Sequence, residues 1–196
     1  MARVLFYVPI PKPDEKNYTP FHRGAAQIAA LLKREGHSVT LKLPSRSSLI
    51  TIEKDLEASR PDYIFLSLAT AQAQHLEPIA QAALKHSIGL LVGGPHATFA
   101  AKEVLEVPGV TAVCCGEGEE VALAFLQGAK SCPGLVRANE KITFSRPVDI
   151  EQLPFPDRHL FYTCPDFRFE RRLVGHEFMA GRGCLYRCSY CSSGSL

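Results

Sequence analysis

Three of the chain's seven cysteines fall within its last thirteen residues, in the segment Met179-Ala180-Gly181-Arg182-Gly183-Cys184-Leu185-Tyr186-Arg187-Cys188-Ser189-Tyr190-Cys191. A C-x-x-x-C-x-x-C spacing on one glycine-flanked loop suits thiolate ligation of a metal or an iron–sulfur centre. The odd total, with no cysteine before Cys114, fits a disulfide framework poorly. Three thiolates on a 4Fe–4S cluster leave one iron open to a small molecule that chelates through an amine and a carboxylate. Zinc is the competing reading, with Cys164 or His176 as the fourth ligand, although no second cysteine pair lies nearby. Cys114 and Cys115 end an apolar run and read as small buried residues, while Cys132 and Cys164 carry no motif.

The elements that must position this loop follow from the rest of the pattern. The chain has 196 residues, 46% apolar and 21% charged, enough for one α/β domain of roughly 100–150 residues plus part of something else. Its 22 Lys+Arg and 20 Asp+Glu give a net charge of +2 without basic or acidic blocks, which argues against nucleic acid as a partner. No apolar run approaches the roughly 18–20 residues of a membrane span, and the stretch 4–10 is too short and proline-broken for a signal peptide. A cytoplasmic location is the expectation.

Short apolar runs alternate with helical periods, the pattern of a doubly wound, five-stranded parallel sheet in an α/β fold. The expected strands cover 3–9, 38–43, 63–69, 89–93 and 111–115, mostly without alternation, as strands buried on both faces should be. Ile28, Leu31 and Leu32 mark one helical stripe, stopped by Gly36, and Leu76, Ile79, Ala80, Ala83 and Leu84 mark another. Shorter helices are expected over 51–59, 100–106 and 119–126. A hairpin over 134–138 and 141–145, turning at Asn139-Glu140, should follow. The reading gives an α/β domain at 1–130, a hairpin and extended, surface-hugging linker at 131–172, and a third part at 173–196 that runs from a strand over 173–180 into the cysteines.

In such a sheet, ligands bind beyond the carboxyl ends of the strands. The loops there are Gly93-Gly94-Pro95-His96-Ala97-Thr98 after the fourth strand and Gly116-Glu117-Gly118-Glu119 after the fifth. Glycines allow close backbone approach to a bulky ligand, but any doubly wound fold also needs such turns to join strand to helix.

Taken in order, the five-unit α/β pattern, the G-G-P-H and G-E-G-E loops, the linker Ile150-Glu151-Gln152-Leu153-Pro154-Phe155-Pro156-Asp157-Arg158 and the three-cysteine loop resemble cobalamin-binding-domain radical S-adenosylmethionine (radical SAM) proteins over essentially the entire chain. The resemblance implies that a corrinoid, cobalamin, lies on Ser67, Ala69, Thr70, Gly93, Gly94, Pro95, His96, Gly116, Glu117 and Gly118. It implies a 4Fe–4S cluster on Cys184, Cys188 and Cys191 that reductively cleaves S-adenosylmethionine, fed by an electron donor such as flavodoxin or ferredoxin. It also implies a small-molecule substrate and methyl transfer or another radical reaction, such as ring formation. The catalytic barrel would need well over 100 further residues, so the chain reads as the N-terminal portion of such an enzyme, inactive alone.

One feature departs from the wider cobalamin pattern. No histidine stands in a D-x-H-x-x-G frame: His22 lacks the aspartate and meets Gly24 one residue too soon, and Asp157-Arg158-His159 has no glycine after it. A cobalt without a protein histidine ligand is therefore expected, as is frequent in the radical SAM subfamily. His96 remains either a contact to the nucleotide tail or a loop histidine bonded to backbone, and His37 reads as exposed or capping. The first turn has no G-x-G-x-x-G for a nicotinamide and no Ser/Thr-rich loop for FMN, and Ser67-Leu68-Ala69-Thr70 lacks a receiver's aspartate. Radical SAM methylthiotransferases need cysteines in the N-terminal domain that are missing here. Two alternatives stay open: a binding module that has lost cobalamin, and a zinc-stabilised domain.

Overall fold

The structure is a computed structural model that describes residues 1–10, 21–45, 47–167, 178–179, 181–186 and 188–191. The elements run β1 (Arg3–Tyr7), α1 (Arg23–Arg34), β2 (Ser38–Lys42), α2 (Leu49–Ser59), β3 (Tyr63–Ser67), a 3-10 turn (Thr70–His75), α3 (Leu76–Lys85), β4 (Gly89–Gly93), α4 (Pro95–Phe99), α5 (Ala101–Leu105), β5 (Ala112–Cys114), α6 (Glu119–Leu126) and β6 (Leu135–Val136). A second 3-10 turn (Ile150–Gln152) and α7 (Arg158–Tyr162) follow.

The strands form one sheet in the order β2-β1-β3-β4-β5-β6. The first five pair in parallel and β6 pairs antiparallel with β5, so the expected five-stranded parallel sheet is a six-stranded mixed one. The strand order reverses between β1 and β3, since the chain leaves β1 first toward β2 and then toward β3. Alternate residues feed two cores. Val4, Phe6, Val8, Phe65 and Leu91 face α1 and α6, whereas Leu5, Tyr7, Ile64, Leu66 and Val92 face the other way, toward Ile52, Leu56 and Ile79 of α2 and α3. Burial on both faces explains the continuous apolar runs. Helix α1 sits close to the sheet because its buried side is built from Ala25, Ala26 and Ala29 beside Leu32, and Lys33 and Arg34 in its last turn complement its dipole. Leu84, expected in the α3 stripe, is exposed.

Four expectations are corrected. The regular hairpin ladder does not form: the amide of Cys115 donates to Gly134 O and that of Ser145 to Cys115 O, so both arms attach to the end of β5, and a side-chain bond from Gly134 N to Thr143 Oγ1 at 3.1 Å joins them to each other. The turn itself survives, with Glu140 N donating to Arg137 O. The helix expected over 100–106 is α5, but an unexpected short helix, α4, precedes it, because Pro95 starts helix as an N1 residue and Ala100 leaves the helical conformation between the two. The linker is more than surface chain, since α7 brings Phe161 fully into the α1-side core and Cys164 is buried beside it. Finally, His37 is half-buried and not exposed: its backbone N–H caps α1 by donating to Leu32 O at 2.9 Å, while its Nδ1 accepts from Ala2 N at 3.2 Å. The strand expected over 173–180 lies largely outside the described residues, as does His176. No helix among the described residues is long and apolar enough to cross a membrane.

Candidate functional site

A cavity of about 1020 Å³ opens at the carboxyl ends of β1, β3, β4 and β5, beside the reversal in strand order. Its sheet-side wall is apolar, made by Phe6, Phe65, Leu91 and Cys114 with Ile28 of α1 and Ala122 of α6. The opposite wall comes from distant sequence: Leu153 to Pro156 in the linker, then Phe178, Met179 and Gly181 to Gly183. The cavity matches the upper end of the roughly 300–1,000 Å³ typical of small-molecule sites, so it suits a large cofactor.

Of the residues expected to bed a ligand, Ser67, Gly93, Gly94, Gly116, Glu117 and Gly118 line this cavity, and Ala69, Thr70, Pro95 and His96 do not. Ala69 and Thr70 turn away because the chain enters a 3-10 turn there, held by Gln72, whose Oε1 accepts from Ala69 N at 3.0 Å and whose Nε2 donates to Pro9 O. Pro95 and His96 begin α4, and His96 Nδ1 lies 3.4 Å from Thr70 Oγ1, outside the cavity.

The glycines answer first to the backbone. Gly94 has φ +91°, and a Cβ there would stand 2.6 Å from Leu68 O; Gly116 has φ +95°, with the Ser145 hydroxyl 2.5 Å from where a Cβ would sit. Both turns are therefore closed to side chains by the protein itself. At Gly118 the blocking atom is Ile28 Cδ1, at 2.6 Å, the end of a cavity-lining side chain.

Sequence reasoning weighed His22 only as a cobalt ligand, set it aside for want of the D-x-H-x-x-G frame, and did not place it at the site. It is the N-cap of α1, its Nδ1 accepting from Ala25 N at 3.0 Å, and its Nε2 lies 3.2 Å from Ser67 Oγ. Burial, with the adjacent Arg23 charge acting in the same direction, holds its pKa below the ordinary 6.5. In the neutral ring the accepting Nδ1 is unprotonated, so the proton sits on Nε2. His22 thus offers the cavity an N–H and no lone pair for a metal. Its position in the first strand-to-helix loop was the available signal, but only the strand order makes that loop face the cavity.

Arg182 stood out only as part of the Gly-Arg-Gly lead-in to the cysteines, with no contact assigned to it. Its Nη1 lies 3.2 Å from Glu117 Oε1 and its Nη2 2.5 Å from Glu119 Oε1, joining the segment before Cys184 to the G-E-G-E loop. The Glu119 side chain is 4% exposed. The other Glu117 oxygen accepts from Val148 N at 2.9 Å. Arg158 lies over the rings of both Phe21, at 4.9 Å, and Phe178, at 5.3 Å.

Cys184, Cys188 and Cys191 are all exposed. Among the described residues no three His, Cys, Asp or Glu side chains converge as they would around a metal ion.

An apolar wall, polar groups at the edge and a place at the strand-order reversal define a cofactor-binding α/β domain. The family model for the B12 binding domain matches residues 17–126, more than half of the chain, and the chain belongs to that family. The uncharacterized methyltransferase PH0819 of Pyrococcus horikoshii is 27% identical over 187 residues, covering 87% of this chain and 40% of that protein. Among solved structures, the cobalamin-dependent S-adenosylmethionine radical enzyme OxsB with aqua-cobalamin and S-adenosylmethionine bound matches with a TM-score of 0.65 at 19% identity, over 80% of this chain and 24% of that one. The radical S-adenosylmethionine methyltransferase TsrM from Kitasatospora setae, with tryptophan substrate and a SAM analog bound, matches with a TM-score of 0.54 at 18% identity, over 74% of this chain and 30% of that one. At such identities these two structures share the fold with this chain. The chain spans less than half the length of each of these relatives.

Proposed function

We propose that the α/β domain binds a corrinoid in the cavity beside the β1/β3 reversal and serves a cobalamin-dependent radical SAM enzyme, with methyl transfer as the favoured reaction class. The observation that carries the reading is the cavity itself: about 1020 Å³ at the ligand-binding edge of a B12 binding domain, with its outer wall built by residues that lead into the cysteine motif. A flat ring with amide arms suits an apolar wall with polar groups at its margin. Phe6, Phe65, Leu91, Ile28 and Ala122 would exclude water from one face of the ring, and the glycine turns at Gly93-Gly94 and Gly116-Glu117-Gly118 would let backbone approach its edge. His22 Nε2–H, shared with Ser67, would donate to an oxygen of the ligand. When bound, a corrinoid supplies a cobalt centre for methyl-group transfer.

The test is a titration of the purified protein with hydroxocobalamin, followed by its visible spectrum and by gel filtration. One corrinoid per chain travelling with the protein is expected. Complete separation of corrinoid from protein would leave the second reading, a domain of B12-binding type that has lost its cofactor and only supports a neighbouring domain or presents substrate.

The 4Fe–4S cluster, S-adenosylmethionine, a small-molecule substrate and a flavodoxin or ferredoxin donor belong to the same proposal. Its support is the Cys184, Cys188 and Cys191 spacing and the likeness in fold to OxsB and TsrM, both radical S-adenosylmethionine enzymes. Iron and sulfide analysis after anaerobic reconstitution tests it, and stoichiometric zinc without iron would overturn it. Exposed thiols in that number suit a reducing, cytoplasmic compartment.

A further inference from the structure

We propose that Arg182 is a positioning residue that holds the outer wall of the cavity and the start of the cysteine loop with one side chain. Its guanidinium forks between two carboxylates of a single loop, Glu117 at 3.2 Å and Glu119 at 2.5 Å. Lysine keeps the charge but lacks the rigid planar fork, so it holds two separate acceptors less firmly. Glu119 is nearly withdrawn from water, so without Arg182 its carboxylate is a buried charge lacking this partner, which favours detachment of the loop. Glu117 in turn anchors the linker through Val148 N, so the G-E-G-E loop grips two later segments at once.

Arg182 and its neighbours Gly181 and Gly183 line the cavity, and Cys184 follows two residues on, within about 7 Å of chain. Any occupant of the cavity is therefore enclosed by the same contact that sets where the first cysteine begins. Phe178 is 84% exposed and rests on Arg158, whereas the Arg182 ion pairs reach a carboxylate that is only 4% exposed. The enclosing role rests on the corrinoid reading; the tie itself does not.

The experiment compares wild type, R182Q, R182K, E119Q and the R182Q/E119Q double variant. Chymotryptic cleavage after Phe178, mapped by mass spectrometry in protein without cofactor, reports how firmly the segment is held, because a protease needs it locally detached. R182Q and E119Q are each expected to raise the cleavage rate on the order of 10-fold, the double variant no more than the faster single one, and R182K to fall between wild type and R182Q. Unchanged cleavage in both single variants, or fully additive effects in the double, would overturn the proposal. Hydrogen exchange at β1 and β3 amides monitors the fold; if R182Q disturbs it, E119Q and R182K carry the comparison. In protein loaded with hydroxocobalamin, R182Q should release the corrinoid on the order of 10-fold faster, and equal release would overturn the enclosing role. If wild type takes up no hydroxocobalamin, the functional reading fails while the cleavage result still decides the tie.

Discussion

The rings of Phe21 and Phe161 meet edge to face with centroids 4.9 Å apart, joining the approach to α1 to a helix almost 140 residues later. Phe161 is fully buried and also meets Phe167 edge to face, at 6.0 Å. The segment after β6 is thus part of the core, and Asp157 reinforces it by capping α7 through Leu160 N and pairing with Lys33 at 2.7 Å.

Phe161→Ala should destabilise the whole α/β domain by about 3–5 kcal/mol, the range for removing a buried aromatic side chain. Chemical denaturation monitored by circular dichroism measures it. A loss below about 1 kcal/mol would mean that the segment lies on the domain without contributing to its stability.

His22 predicts a pH dependence of known sign. Its folded pKa lies below 6.5 because of burial, so below pH 6.5 the unfolded chain binds more protons than the folded one. Stability should be full above that value and fall as the pH drops, until the folded ring itself protonates. His75, buried beside Ser47 and lowered for the same reason, adds to the fall. His22→Asn keeps a capping side chain and should reduce, without abolishing, the difference in melting temperature between pH 7.5 and pH 5. An identical difference in the variant would show that the ring carries no such linkage.

Gly94→Ala tests the turn after β4. The substitution puts a side chain at φ +91° and a Cβ 2.6 Å from Leu68 O. Backbone strain of this kind costs about 1–3 kcal/mol, and relief of the overlap adds to it, so a drop in melting temperature of roughly 5–10 °C is expected for a chain of this size. Differential scanning fluorimetry suffices to read it.

The cysteines should separate by reactivity. Cys114, Cys115 and Cys164 are buried, and burial raises all three thiols, Cys115 to about 11 and Cys114 further. Cys184, Cys188 and Cys191 are exposed. Brief iodoacetamide treatment in the absence of iron should alkylate the exposed three at least about 100-fold faster than Cys115 and Cys164, whose reaction waits on opening of the fold, while Cys114, at the cavity wall, is slowed by its raised thiol. Peptide mass spectrometry resolves them, and rapid labelling of Cys164 would contradict the packing of the 150–167 segment on the core.

Strands β1, β3, β4 and β5 were readable because they are buried on both faces, which leaves apolar runs with little alternation, whereas the edge strand β2 alternates buried and exposed residues; β4 matches its expected bounds at Gly89–Gly93. Helix α6, at Glu119–Leu126, matches for a similar local reason. Elements whose signal depends on a partner were not readable. Residues 134–145 carry hairpin chemistry, yet the end of β5 captures both arms. The 150–167 segment lacks a helical stripe, yet the pocket formed by α1 and Phe21 orders α7 around Phe161.

The glycine loops and the cysteine spacing are properties of neighbouring residues, and the amino-acid sequence alone was enough to mark them, along with the class of fold that presents such loops at the ends of its strands. The cavity was decided by tertiary structure. It depends on the reversal between β1 and β3, on a His22–Ser67 contact across 45 residues, and on an Arg182–Glu119 contact across 63. Short-range burial and turn chemistry are written into adjacent positions, whereas the pairing of distant charges and the enclosure of a volume exist only once the sheet has placed its strands side by side.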